Sequence, residues 1–156
     1  LMNAAPLQHF EAWDIHNEGT QPAVRSVTDK LDLERIAIRE ALGYGAPHFP
    51  LADHYNGDQW MYGDVHKKLV KSGDWREHID LHHHRYMTED TMLGLSFQAS
   101  VADWAGIDAP ISQGLLAIAG GIVGEDLRKG PRALATLGLA GLGKDDLREL
   151  LFTGKP

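Results

Sequence analysis

Thr88-Glu89-Asp90-Thr91-Met92-Leu93-Gly94-Leu95-Ser96-Phe97-Gln98-Ala99-Ser100-Val101-Ala102-Asp103-Trp104-Ala105-Gly106 decides the fold class. Thr88 is an N-cap residue type, and Glu89 and Asp90 follow it where a first helical turn favours negative charge. Leu93, Phe97, Val101, Trp104 and Ala105 recur at helical spacing and predict one inward face, which Gly106 ends. Asp108 and Pro110 open a second helix, with Ile111, Leu115, Ile118 and Ile122 expected inward and Gly124 as its stop.

The same pattern extends upstream. Val24, Val27, Leu31, Ile38 and Leu42 predict a helix opened by Thr20 or Gln21 with Pro22 and closed by Gly43. Residues 44–58 hold Pro47, Pro50, Asn56 and Gly57 and read as loop. Asp58 is then placed to cap a short helix carrying Tyr62, Val65 and Leu69 and ending near Gly73. A last helix is expected from about Lys144 to Leu151. No segment alternates as a strand would, and there is neither an internal repeat nor a dividing linker. The expected architecture is one all-α domain over residues 1–156.

Composition narrows the function classes. Hydrophobic residues at 43% and charged residues at 24% exclude wholesale disorder and allow a packed core. A net charge of -7 with no basic stripe excludes nucleic acid and anionic membrane surfaces as partners. With no cysteine, disulfides and thiolate metal sites are ruled out, which is compatible with a cytoplasmic location. The longest apolar stretch, Ile111 to Val123, is too short and too broken by Ser112, Gln113 and glycines to cross a bilayer. No basic region followed by an apolar one marks the N-terminus. The opening Leu1-Met2-Asn3 reads like a cut made inside a longer chain.

Four motifs bear on chemistry. Arg85, just ahead of the acids of the helix start, is a planar donor suited to a substrate carboxylate; its alternative is an ion pair with Glu89 or Asp90 that fixes the loop. His78, His82, His83 and His84 raise the question of metal, since two histidines four apart on a helix converge. Adjacent histidines diverge, however, and no glutamate follows His78 as in a zincin, so no metal is expected. Gly138 to Asp145 imitates a phosphate loop, but an aspartate stands where Ser or Thr should be and no strand precedes it. There is no G-x-G-x-x-G, so no dinucleotide site is placed on this chain. Trp13, Trp60, Trp75 and Trp104 are expected at the core or its rim.

Several segments in order resemble the C-terminal helical domain of the octopine/nopaline dehydrogenase family. His84-Arg85-Tyr86-Met87-Thr88-Glu89-Asp90 is similar to its H-R-Y-[LI]-T-E-D block. Leu31 to Ala37 resembles its LDAERLA helix, and Glu18 to Val24 the run before it. Trp104 to Pro110 resembles its G-V-x-T-P turn, and Leu137 to Leu142 its LGLAGL ending. The resemblance implies a helical fold similar to that of 6-phosphogluconate dehydrogenase. It also implies an enzyme that condenses an amino acid with a 2-oxo acid and reduces the imine with NADH or NADPH, held mainly by a Rossmann domain absent from this chain. By the same resemblance His9, in Asn3-Ala4-Ala5-Pro6-Leu7-Gln8-His9, matches the catalytic histidine and Asp90 the acid paired with it. Arg85 matches the carboxylate clamp, while Asn3 and Thr88 are placed near substrate. An imidazole with a pKa near neutrality can shuttle the protons such a reaction needs, with a carboxylate behind it fixing the tautomer. His9 and Asp90 are therefore expected within hydrogen-bonding reach. Two other readings stay open: a non-catalytic helical dimerisation or interaction module derived from such an enzyme, marked by an exposed apolar patch, and a histidine-rich metal binder.

Overall fold

The computed structural model describes residues 1–56 and 63–155, and among these the fold is all-α. In chain order the helices are α1 (Ala4–His9), α2 (Pro22–Ala41), α3 (Leu51–Asn56), α4 (Asp64–Ser72), α5 (Ser96–Ala105), α6 (Pro110–Val123) and α7 (Lys144–Thr153). A π-helical stretch, Tyr86–Leu95, runs directly into α5, and a 3₁₀ turn, Leu127–Lys129, follows α6. α2 begins with Pro22 at its first turn, and Gly43 takes φ +87° just past its end. Gly106 and Gly124 close α5 and α6 in left-handed conformation, as their positions predicted.

α2, α5 and α6 pack on one another, and one carboxylate fixes their arrangement. Glu34, buried on α2, accepts from the backbone N–H of Ile111 (2.6 Å) and Ser112 (2.9 Å) and from the Ser112 hydroxyl (2.6 Å). Pro110 has no N–H and the N–H of Gln113 donates to the Ala109 carbonyl, so the first turn of α6 is fully satisfied. A negative charge at a helix N-terminus also opposes the positive end of its dipole. Asp32, two residues earlier, does a parallel service for α3 by accepting from the N–H of Leu51 at 2.7 Å. That cap explains why α3 forms inside a stretch that Pro47, Pro50 and Asn56 mark as loop: the stabilising partner is far away in sequence. The expected starts at Asp58 and Tyr62, and Trp60, lie outside the described residues.

The inward faces match those expected only in part: Val101 and Ile122 pack against the core, but neither is among the fully buried residues. The residues of α5 that are buried are Ser96, Ala99 and Ala102, and those of α6 are Ser112, Leu116 and Ala119. Phe97 is 43% exposed and Ile118 56%. Mostly small residues line the contact, which lets two helix backbones approach closely, and hydrophobicity alone does not reveal such a face. The π-helical stretch adds to the shift. Thr91 and Ser96, five apart, are both buried, and the Thr91 hydroxyl donates to the Tyr86 carbonyl at 2.7 Å. Thr88 accordingly sits within the first turn rather than at the N-cap, which is Arg85.

Leu7, Ile79, Leu81 and Met87 join Ala99, Leu116 and Leu127 in the main core, tying the N-terminal end to the helical layers. Beyond α6 the chain wraps back over α5. The Trp104 indole donates to the Leu142 carbonyl (2.9 Å), and the Ser100 hydroxyl accepts from the N–H of Leu134 (3.1 Å). Lys144 at the start of α7 then caps the C-terminal end of α2 through the Ala41 carbonyl (2.7 Å). Among the described residues no helix is long and apolar enough to cross a membrane.

Candidate functional site

The site is assembled where α1 and the loop after it meet the segment leading into the π-helical stretch. Asn3 is the bracket. Its side-chain oxygen accepts from the Trp13 indole (2.9 Å) and its nitrogen donates to the Gly19 carbonyl (3.1 Å). A Cβ on residue 19 would fall 2.5 Å from that oxygen, so the approach requires glycine there. Asp14, buried in the same loop, accepts from the N–H of His16 and Asn17, both at 3.0 Å.

This loop pins the distant segment. Trp13 and Glu77 exchange backbone hydrogen bonds (3.0 and 3.4 Å), and His78 donates through Nδ1 to the Glu11 carbonyl (3.1 Å). Arg76 donates to the Ala12 carbonyl (3.2 Å) and pairs with the Glu18 carboxylate. His78 therefore lies on extended chain and the next three histidines in a turn, so the helical face that would join His78 to His82 does not exist. Among the described residues no group of three or more metal-ligating side chains is placed to hold an ion.

Two cavities result, sharing Leu7, Ile79 and Leu81 as a common wall. The larger, an open cleft of about 520 Å³, is lined by His9, Glu11, His78, Asp80 and His82. The smaller, about 210 Å³, is lined by Asn3, Ile15, Thr20, His84, Tyr86, Met87 and Thr91. In the cleft Asp80 accepts from His83 Nδ1 (2.7 Å) and from the N–H of His82 (3.0 Å), and these bonds hold its carboxyl below the usual range. In the pocket His84 Nδ1 accepts from the N–H of Tyr86 (3.3 Å), and the two rings lie 4.4 Å apart. Burial, and then the charge of Glu77, pushes the Tyr86 phenol up.

His9, the last residue of α1, is exposed on the cleft with its ring against the edge of Phe10, which stacks on Trp13. Asp90 is exposed on the π-helical stretch and does not line the cleft. Among the described residues no hydrogen bond joins His9 to Asp90, so the expected pair is not made in this structure. Arg85 lies 3.9 Å from Glu89, both largely exposed, a contact of the kind that contributes under about 1 kcal/mol. Thr88 is half-buried, its hydroxyl 3.4 Å from the His84 carbonyl. Sequence reasoning passed over Glu11 and Asp80 as site residues, and took His84 only as a metal candidate and, with Tyr86, as part of a motif. For the last two the signal was their place on either side of Arg85 in a motif already singled out. Trp13, Trp75 and Trp104 are half-buried, at the rim. No strand-to-helix glycine turn occurs among the described residues.

The family model of the NAD/NADP octopine/nopaline dehydrogenase alpha-helical domain matches residues 1–123, which run from α1 through α6 and leave Leu137 to Leu142 outside. The chain is 28% identical over 155 residues to an opine dehydrogenase of Arthrobacter sp. (strain 1C), covering 95% of this chain and 42% of that protein. It is 27% identical over 133 residues to a vitopine synthase of Allorhizobium ampelinum, covering 77% of this chain and 34% of that protein. The chain thus spans less than half the length of either relative.

Proposed function

This chain belongs to the octopine/nopaline dehydrogenase family as its alpha-helical domain, and from that premise we propose that it supplies the substrate-binding and proton-transfer half of an opine dehydrogenase. The reaction joins the amino group of an amino acid to the carbonyl of a 2-oxo acid with loss of water. The imine is then reduced by hydride from NADH or NADPH, held mainly by a nucleotide-binding domain outside these residues. The exposed imidazole of His9 on an open cleft carries this reading. No hydrogen bond within the described residues engages that ring, so it is available to take a proton from the attacking amine and return one as water leaves. Arg85 holds a substrate carboxylate, with Thr88 and Asn3 bordering the substrate. Asp90 comes behind His9 to stabilise the imidazolium only when substrate and the second domain close on the site. The chain by itself does not turn over.

The test joins this chain to the part of the Arthrobacter opine dehydrogenase that its match leaves uncovered. NADH oxidation is then followed with pyruvate and a panel of amino acids. Turnover is expected from the joined protein and not from the chain alone. His9→Ala should lower kcat by about a hundred- to ten-thousand-fold, and Arg85→Ala should act mainly on KM. Full activity in His9→Ala would remove the assignment.

One observation favours a second reading, a helical interaction or dimerisation module: Leu151 and Phe152 at the end of α7 are 75% and 80% exposed. A dimer that persists at micromolar concentration, together with an inactive joined protein, would select it.

A further inference from the structure

We infer that the smaller pocket receives the apolar side chain of the amino-acid substrate, selecting aliphatic side chains of about leucine size over basic or vanishingly small ones. The inference rests on the proposed function, which places an amino-acid carboxylate on Arg85. That residue stands in sequence between His84 and Tyr86, both of which line the pocket, and its own side chain is 65% exposed.

The chemistry of the wall carries the selectivity. Leu1, Leu7, Ile15, Ile79, Leu81 and Met87 are the aliphatic residues of its wall. Of the polar residues in the wall, Thr20, Thr91 and Asn3 are already committed. The Thr20 hydroxyl donates to the Ile15 carbonyl (2.6 Å), and that of Thr91 to the Tyr86 carbonyl (2.7 Å). Both ends of the Asn3 amide are engaged by Trp13 and Gly19. A charged or amide side chain entering here would lose its water and meet only the His84 imidazole and the Tyr86 phenol in return. No carboxylate lines the pocket, so an ammonium or guanidinium has no counter-ion there. A volume of about 210 Å³ equals the share of about seven waters, enough for a branched aliphatic chain.

The experiment is methyl NMR on this chain, titrated in turn with L-leucine, glycine and L-arginine. Leucine should shift the methyl signals of Ile15 and Leu81 and bind about tenfold tighter than the other two, the discrimination an apolar pocket ordinarily gives. Ile15→Phe, at a half-buried wall position, should abolish that advantage. Ile15→Ala should move the preference toward phenylalanine, which keeps the test decisive if the larger side chain prevents folding. Equal binding of leucine and arginine, leucine shifts that bypass the pocket methyls, or an unchanged ranking in Ile15→Ala overturns the pocket while leaving the proposed function intact. If no amino acid perturbs any residue and the joined protein is also inactive, both fall.

Discussion

At the contact of α2 with α6 the Glu34 carboxylate is buried and three donors converge on it. Along residues 80–90 the carboxylates of Asp80, Glu89 and Asp90 stand in solvent, Asp80 held by its own turn and Glu89 only loosely by Arg85. The same functional group is thus spent on architecture at one end and left available for chemistry at the other. The difference is set by what faces it. Two N–H groups at the start of α6 cannot find partners within their own helix and would be costly to bury unpaired, so they hold Glu34 in place. The segment 80–90 makes its bonds within short local turns, which leaves its charges able to meet a substrate.

The largest test of that contrast is Glu34→Ala. With the amides of Ile111 and Ser112 left without their acceptor, unfolding should become easier by about 3 kcal/mol or more, read as a lower urea midpoint. Glu34→Gln, which retains one acceptor, should cost less. A change under about 1 kcal/mol in Glu34→Ala would mean that the cap does not organise the helical layers.

A smaller effect is expected at the other end from Asn3→Ala. The Trp13 indole and the Gly19 carbonyl each lose a partner there, for about 1–2 kcal/mol. Because the loop that Trp13 anchors also pins residues 76–78, Trp13 fluorescence should move toward that of a solvated indole. If stability and emission both stay unchanged, the bracket does not hold the cleft together.

The smallest effect concerns Asp80, which is fully exposed. Its folded pKa is below its ordinary value because His83 donates to it. Its contribution is therefore present above the ordinary carboxylate pKa and is lost as pH falls through the depressed folded value. His83→Ala should raise the Asp80 pKa toward the ordinary range, as followed by carboxyl NMR, with almost no change in melting temperature at neutral pH. An unmoved Asp80 pKa would show that His83 is not its partner in solution.

Much of this fold was legible because its punctuation is local. Pro22 and Pro110 open helices, and Gly73, Gly106 and Gly124 close them in left-handed conformation, each acting through its own backbone. What was not legible depends on distant partners. α3 needs Asp32 of α2, and the small-residue faces of α5 and α6 are invisible to a search for large apolar residues. Nor does any pattern in Tyr86–Leu95 announce a π-helical stretch. For the candidate site, the motif His84-Arg85-Tyr86 contains two residues, His84 and Tyr86, that line the smaller pocket. The meeting of residues 11–13 with 76–78, which brings Glu11 and His78 to the larger cleft, left no trace in the spacing of either segment.

The bond from Glu34 to Ile111 joins residues 77 apart in the chain, and this has a consequence for the order in which the molecule is built. The leading amides of α6 cannot be satisfied by anything in their own neighbourhood, so that helix is completed only after α2 has reached it. Loop closure of that length is an entropic cost met before its reward. A chain released from synthesis one helix short of α6 would hold Glu34 as a charge with nothing yet to cap.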